Sequence, residues 1–272
     1  MIYADYVGRQ REDRDHIAPE MLVRLAATLG TPAPDNLPPL WHWTLFQDWQ
    51  PGQALGPDGH PLRGNFLPPV HDLPRRMWAG GDVRFLAPLR PGAAVLRRST
   101  IRSIQEKHGA SGRLVFVELD HAIVGPDGPA IEELQTIVYR AMSGAPVRDS
   151  AQASLAPPAA LVATVVPDSL LLFRYSALTG NGHRIHYDAD YVRDVEHYPG
   201  LVVHGPLQAT LLANLVQAAH PGRRLARFRF RGERPAFAGA PLILQAWEAG
   251  TWRLRSVDPA GQVCMSAEAW LE

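Results

Sequence analysis

Apolar and polar residues alternate in short runs that follow a similar order in each half of the chain. The runs of the first half are 83–85, 114–117 and 133–140, and those of the second half are 227–230, 242–244, 251–257 and 263–270. A repeat of two residues is typical of strands with one buried face. Proline and glycine at 125–128 and 258–261 separate neighbouring runs and predict hairpin turns. The pattern therefore predicts two related antiparallel sheets.

One segment with helical features precedes the strands of each half. Residues 19–30 begin with Pro19, which suits a first helical turn, and end with Gly30, which suits the position after the last turn. Residues 206–219 are apolar on nearly every face, so this helix is expected to be buried. One buried helix per half, wrapped by an antiparallel sheet, predicts an α+β fold used twice.

A segment rich in Ala, Ser and Pro lies between the two halves, at residues 145–158. Such a composition is typical of a linker. We therefore expect an N-terminal half over residues 1–148 and a C-terminal half over residues 149–272.

Composition and charge narrow the class of protein. The chain has 272 residues, 46% of them hydrophobic, with 27 basic and 27 acidic side chains. This composition is globular, and no stretch reaches the roughly 18 apolar residues of a membrane span. A net charge of zero argues against nucleic acid as a partner. The single cysteine, Cys264, excludes an intrachain disulfide, and the polar N-terminus lacks a secretory signal, so a cytoplasmic protein is expected.

Histidines cluster in the second half. Four of the eleven lie within 22 residues: His183, His186, His197 and His204. Because a histidine near its ordinary pKa can take and return a proton, His186 is a candidate general base, and Asn181 could hold the water on which it acts. The alternative is a polar loop whose histidines bond to the backbone. A metal site at His183 and His186 is disfavoured, since neither a helix nor an acidic third ligand accompanies them.

The segment before the second helix has the features of an anion site. Gly205 lies where the helix begins, and Pro206 behind it has no N–H, so the Gly205 N–H is free to meet a ligand. The alternative is an ordinary N-terminal cap. Residues 180–182 are not a dinucleotide fingerprint, because Ile185 replaces its third glycine, and Cys264 is expected to pack within a strand.

Residues 175–186 resemble the signature of the MaoC-like, (R)-specific enoyl-CoA hydratases. That signature is an aromatic residue, then Ser/Thr-Gly, then Asp-x-Asn-Pro-aliphatic-His. Four positions match it: Thr179, Gly180, Ile185 and His186. Three depart from it: Asn181 stands for the aspartate, His183 for the asparagine and Arg184 for the proline. The residues at 203–205 also resemble the family's Ala-His-Gly at the start of the central helix.

Longer segments are similar to one subgroup of that family. Residues 181–188 and 198–208, with 66–70 and 73–81 in the first half, resemble the itaconyl-CoA and mesaconyl-C4-CoA hydratases and 3-hydroxyacyl-thioester dehydratase type 2. The resemblance implies a double hot-dog, two helix-in-sheet halves side by side with one active site in the second half. The first half would shape the acyl pocket, with Trp78 and Met77 as its walls or as ordinary core residues.

The resemblance also implies a chemistry. Water would add to the double bond of an α,β-unsaturated acyl-CoA, with His186 as base, Asn181 orienting the water and the Gly205 N–H facing the thioester oxygen. Asp188 would orient a histidine. No cofactor is expected, since CoA is part of the substrate. A homodimer or higher homo-oligomer is expected.

The expected substrate is a branched C5 dicarboxylyl-CoA, itaconyl-CoA or mesaconyl-C4-CoA, whose free carboxylate requires a cation. Arg184 is the first candidate, followed by Arg75 and Arg76, which could instead form salt bridges or contact the CoA phosphates. His183 and His204 are further candidates for substrate binding. The alternatives are a 3-hydroxyacyl-thioester dehydratase for unbranched chains, a hot-dog thioesterase, and an acyl-CoA-binding module without catalysis.

Overall fold

Ten antiparallel strands form one continuous sheet in the computed structural model, which describes residues 3–109, 112–142 and 158–272. The strands are β1 (Gln10–His16), β2 (Arg75–Phe85), β3 (Ala94–Gly109), β4 (Gly112–Gly125), β5 (Gly128–Arg140), β6 (Leu161–Val165), β7 (Leu225–Gly232), β8 (Leu242–Ala249), β9 (Thr251–Val257) and β10 (Val263–Leu271). Their order across the sheet is β1-β3-β4-β5-β2-β7-β10-β9-β8-β6. Counted outward from the centre of the sheet, the first half has the order β2, β5, β4, β3 and β1. The second half has the corresponding order β7, β10, β9, β8 and β6.

The repeat inferred from the alternating pattern is confirmed. All seven predicted runs lie within strands, and Gly125 pairs with Gly128 across the two-residue hairpin turn. The sequence pattern did not reveal β1, β3 and β6. The predicted linker at 145–158 and the boundary after residue 148 lie outside the described residues, apart from Pro158.

The two halves join where β2 pairs with β7, so the structure has one sheet instead of two separate ones. Gly80 makes this pairing possible, because a Cβ there would lie 2.5 Å from the Phe230 carbonyl oxygen. Next to it, the Arg227 Nε donates to Asp82 Oδ1 at 2.7 Å across the join.

The helices are α1 (Pro19–Leu29), α2 (Ser169–Thr179), α3 (Ala189–Asp194) and α4 (Gly205–Ala219). As predicted, α4 is buried; it packs against all five strands of the second half and against β2. As predicted too, α1 ends at Gly30, which adopts the left-handed conformation at φ 68°. No helix in the described ranges has the length and hydropathy that a membrane crossing requires.

The first half differs from the expected arrangement, because α1 is not its central helix. By position in the repeat, α1 corresponds to α2: each follows an edge strand, ends at a left-handed glycine and packs against the other. Where the second half has α4, the first half has residues 31–74, with short 3-10 turns at Trp41–Thr44 and Gly52–Ala54. Ten prolines in that segment remove the backbone donors that a long helix needs.

Candidate active site

A cavity of about 1580 Å³ opens between the two halves. The first half contributes residues from the 3-10 turns, from the following loop and from β2 to β5, and the second half contributes the end of α2, the connection that follows it and the start of α4. Four of the predicted site residues from the second half line this cavity: Asn181, His183, His186 and Gly205.

His186 lies in a 3-10 turn, Arg184–His186, and only 6% of it is exposed. Its Nδ1 lies 2.7 Å from the Val202 carbonyl oxygen, which can only accept, so Nδ1 carries the hydrogen and Nε2 keeps a lone pair. Burial lowers the pKa of His186 to about 4, against the opposing effect of the Val202 carbonyl. The ring is therefore neutral near pH 7 and suited to accept a proton.

His204 lies behind His186 and not at the cavity wall. The two rings stack at 3.6 Å between centroids, and His204 is 1% exposed. Its Nε2 lies 2.8 Å from Ser176 Oγ, while burial holds its pKa well below the usual value. The prediction that His204 contacts substrate is therefore not supported by its position, since the His186 ring separates it from the cavity.

Asn181 follows Gly180, which ends α2 in the left-handed conformation at φ 61°. The Asn181 Oδ1 accepts from the His183 backbone N–H at 3.0 Å. The Oδ1 atom therefore already has a partner. The Nδ2 group of Asn181 carries the donor hydrogens, which can bond to a water or to substrate.

Gly205 is the first residue of α4, and Pro206 follows it. A Cβ at Gly205 would lie 3.9 Å from both Met265 Cε and the Trp78 carbonyl oxygen, which is ordinary van der Waals contact without a clash. The start of a 15-residue helix supplies a partial positive charge at this point. The geometry fits the predicted anion site.

The side chains of Arg184 and Asp188 lie elsewhere than expected, since they bond to each other. The Arg184 guanidinium bonds to the Asp188 carboxylate at 2.7 Å and lies over the Tyr191 ring, away from the residues that line the cavity. Asp188 caps α3 by accepting from the Tyr191 N–H, so it orients a helix and an arginine, not a histidine. The direction of the Arg184 side chain depends on the 3-10 turn in which it lies, which residue identity does not reveal.

The two other predicted arginines line the cavity. Arg75 is buried and already paired, since its Nε donates to Glu196 Oε2 at 2.7 Å. Arg76 is half-buried. Arg75 and Arg184 each form an ion pair, whereas Arg76 forms none with the residues that the structure describes. Burial raises the pKa of Tyr139, and the nearby positive charge of Arg76 partly opposes this effect.

Trp78 and Met77 line the cavity as expected. Trp78 is held by a hydrogen bond from its Nε1 to the Gly80 carbonyl oxygen at 3.0 Å and by an edge contact with Trp43, at 4.9 Å between centroids. Cys264 is buried in β10, and burial raises the pKa of its thiol to about 11, as expected for a packing residue.

Two further candidate site residues, Asp58 and His60, carry no signal in the local sequence. The His60 ring lies against His183, with centroids 4.3 Å apart, and its Nδ1 lies 3.1 Å from Asp58 Oδ2. They come from the first-half loop, more than a hundred residues before the histidine cluster, and no local spacing connects the two. The atoms of Asp58, His60 and His183 that could bind a metal lie within 4.8 Å of one another. We assign no metal to them, because Asp58 already bonds to His60 and the positive charge of Arg76 acts on the rings of His60 and His183.

A second polar group at the first-half end of the cavity was also missed. The buried Glu133 carboxylate accepts from Trp43 Nε1 at 3.0 Å and lies 3.0 Å from His42 Nε2. Nearby, His121 bonds Ser99 and Gln135. The hydrogen bond from His42 helps to hold the pKa of Glu133 below its usual value despite burial. Glu133 lies within a predicted strand, and only the tertiary fold shows that it faces inward.

The sequence of this chain matches known proteins along most of its length. The family described as hydroxyacyl-thioester dehydratase type 2 matches residues 40–238. The mesaconyl-C(4)-CoA hydratase of Chloroflexus aurantiacus is 45% identical over 269 residues, which cover 96% of this chain and 95% of that protein. The chain belongs to the hydroxyacyl-thioester dehydratase type 2 family.

Solved structures agree on the fold of this family member. A MaoC-like dehydratase from Phytophthora capsici superimposes with a TM-score of 0.71 at 16% identity, covering 97% of this chain and 95% of that one. A Mycobacterium tuberculosis protein described as having a double hot-dog fold gives a TM-score of 0.56 at 11% identity, covering 98% and 96%. The α+β double hot-dog fold expected from the MaoC-like signature is thus confirmed.

Proposed function

We propose that this protein is a hydratase that adds water to the double bond of an α,β-unsaturated acyl-CoA thioester. The observation that carries the proposal is that His186, with its lone pair on Nε2, and Gly205, at the start of α4, line the same cavity. A base for water and a donor for the thioester oxygen are the two groups that this reaction requires. The name of the Chloroflexus relative supports the same reaction class.

The reaction proceeds by transfer of one proton through His186. The Nε2 atom takes a proton from water as the water oxygen bonds to the β-carbon, and the π electrons move toward the thioester oxygen. The Gly205 N–H faces that oxygen, and one such donor lowers a barrier by about 3 kcal/mol. The His186 imidazolium then returns the proton to the α-carbon, so that both parts of the water molecule are accounted for. The Asn181 amide donates to the water oxygen and orients it.

We further propose that the acyl group is a branched C5 dicarboxylyl group, as in mesaconyl-C4-CoA or itaconyl-CoA. The free carboxylate of such a substrate needs a cation inside the cavity. Arg76 is suited to this role because it lines the cavity, whereas Arg184 is paired outside it and Arg75 is paired with Glu196. A guanidinium binds a carboxylate through two parallel hydrogen bonds.

The experiment is to follow loss of the ultraviolet absorbance of the enoyl thioester with three substrates: crotonyl-CoA, itaconyl-CoA and mesaconyl-C4-CoA. We expect faster turnover of a dicarboxylic substrate. A preference for crotonyl-CoA would favour the dehydratase alternative for unbranched chains. Release of free CoA thiol would indicate a thioesterase, and binding without a spectral change would indicate an acyl-CoA-binding module; either result would contradict the proposal.

Two further expectations accompany the proposed reaction. We expect a cytoplasmic location, because CoA thioesters are intracellular substrates. We also expect a homo-oligomer, which light scattering coupled to size-exclusion chromatography would test.

A further inference from the structure

The loop that carries Asp58 and His60 is held on the second-half signature by backbone contacts. The Arg184 N–H donates to the Asp58 carbonyl oxygen at 2.9 Å, and the Arg184 guanidinium donates to the Pro57 carbonyl oxygen at 3.1 Å. The approach is so close that a Cβ on Gly59 would lie 2.0 Å from the Gly182 carbonyl oxygen. The first half is therefore docked at Gly182 and at Arg184, the second of which departs from the family pattern.

Asp58 fixes the orientation of His60. One carboxylate oxygen accepts from the His60 backbone N–H at 3.1 Å, and the other lies 3.1 Å from His60 Nδ1. Since an ionised carboxylate only accepts, Nδ1 carries the hydrogen and Nε2 keeps a lone pair. His60 lines the cavity, and Asp58 does not. The arrangement is a carboxylate–histidine pair with the histidine at the cavity surface.

His60 shares its surroundings with the other site histidines. The His183 ring lies near the His60 ring, with centroids 4.3 Å apart, and nearly perpendicular to the His186 ring, with centroids 5.6 Å apart. The charged groups that act on His60 are Asp58, Arg76 and Arg63. With burial as the largest cause and Arg76 next, the pKa of His60 is lowered to about 4 against the opposing effect of Asp58, so this ring is neutral near pH 7.

We propose that Asp58 and His60 replace the carboxylate that the family signature has lost at Asn181, with His60 as a second catalytic residue and Asp58 as its positioning residue. This inference rests on the hydratase activity proposed above. His186 and His60 each carry the hydrogen on Nδ1, so each presents the lone pair of Nε2 to the cavity. The attacking water has two hydrogens, one for each of these nitrogens.

The proton balance follows from this assignment. The water gives one hydrogen to His186 Nε2 as its oxygen bonds to the β-carbon, and His186 returns that proton to the α-carbon. His60 Nε2 accepts the hydrogen bond from the other hydrogen, which stays in the product hydroxyl. Without Asp58, His60 could adopt the tautomer with a hydrogen on Nε2, which donates and cannot orient the water in this way.

The test compares His60→Ala and Asp58→Asn with His71→Ala, an exposed histidine farther along the same segment. In Asp58→Asn one carboxylate oxygen becomes an amide nitrogen, which cannot accept from His60. We expect kcat to fall about tenfold in both site variants, because one hydrogen bond that orients the water is lost, with KM changed less than threefold and His71→Ala like wild type. Added imidazole should restore part of the kcat of His60→Ala but not of Asp58→Asn, and circular dichroism should show all variants folded.

Several outcomes would overturn the assignment. An unchanged kcat in folded His60→Ala, or a change confined to KM, would leave His60 a binding or structural residue. Loss of wild-type activity on dialysis against EDTA, restored by Zn²⁺, would make Asp58, His60 and His183 a metal site instead. If the wild-type protein hydrates none of the three substrates, the proposed function fails; if it does and His60→Ala is as active, only this inference fails.

Discussion

The backbone N–H of Arg184 donates to the carbonyl oxygen of Asp58, a bond that a proline at this position could not form. The family signature has proline here, so the departure from the signature coincides with the docking of the first-half loop. The guanidinium strengthens the same contact by donating to Pro57. Arg184 thus connects the two halves of the protein.

Replacement of Arg184 by proline should lower turnover of all substrates alike. Proline fits the start of a 3-10 turn, and His183 before it has the extended backbone that a residue preceding proline adopts, at φ −65° and ψ 117°. The variant should therefore fold but lose the bond to Asp58, with kcat about tenfold lower for crotonyl-CoA and dicarboxylic substrates. Arg184→Ala keeps the N–H and should lose less. Selective damage to the dicarboxylic substrates would instead indicate carboxylate binding by Arg184.

Arg76 should determine the preference for a dicarboxylic acyl group. A charge-assisted hydrogen bond contributes about 1.5–3 kcal/mol, so Arg76→Gln should raise the KM for mesaconyl-C4-CoA about 10- to 100-fold and spare crotonyl-CoA. Arg84→Gln, on the exposed part of the same strand, is the matched control. Equal effects on both substrates would assign Arg76 to the CoA moiety, common to both.

The acid limit of stability should reflect the buried histidines. The pKa of His186 is about 4 in the folded protein and 6.5 for the unperturbed side chain. Below pH 6.5 the unfolded chain binds a proton that the folded protein does not, so the free energy of unfolding should fall as the pH decreases from 6.5 to 4, by an amount on the order of 3 kcal/mol for this residue.

Urea unfolding of wild type and His186→Gln between pH 7 and pH 4.5 would measure this dependence. The variant should lose less stability on acidification, because glutamine does not titrate. Parallel pH dependences for the two proteins would show that His186 is not protected from protonation by the fold.

The close approach of Gly59 to Gly182 should make Gly59 intolerant of a side chain. Gly59 has φ +87°, and a Cβ would overlap the Gly182 carbonyl oxygen at 2.0 Å. We expect Gly59→Ala to destabilise the protein by about 1–3 kcal/mol and to lower kcat by displacing His60. Gly52→Ala, where no atom lies within 4 Å of the added Cβ, should be near wild type in thermal unfolding and in turnover. Full activity of Gly59→Ala would show that the docked loop does not position a site residue.

The sequence predicted the parts of this molecule that depend on local pattern. Alternation located seven strands because their buried faces repeat every two residues, and His186, Asn181 and Gly205 were found because they lie within 25 residues of one another. Over the described residues, the first half does not have the central helix that was expected, because α1 corresponds to α2 and not to α4. The periodicity of a segment predicts a helix, but it does not show whether that helix is the central one.

The rest of the site depends on tertiary structure. Asp58 and His60 reach His183 only because the two halves meet, and Arg184 faces Asp188 because a 3-10 turn directs its side chain away from the cavity. Such directions depend on backbone conformation, which residue identity alone did not specify.

In the part of the chain that the structure describes, the first half lacks a central helix, and this determines which part of the protein surrounds the cavity. In the second half α4 packs against the sheet, whereas in the first half residues of β3, β4 and β5 are among those that line the cavity. The first half therefore forms a cavity wall in place of a helix-filled sheet, and the size of this cavity can change by mutation without altering the proposed catalytic residues of the second half. Divergence among such proteins can therefore alter which acyl chains are accepted while the chemistry of the second half stays constant.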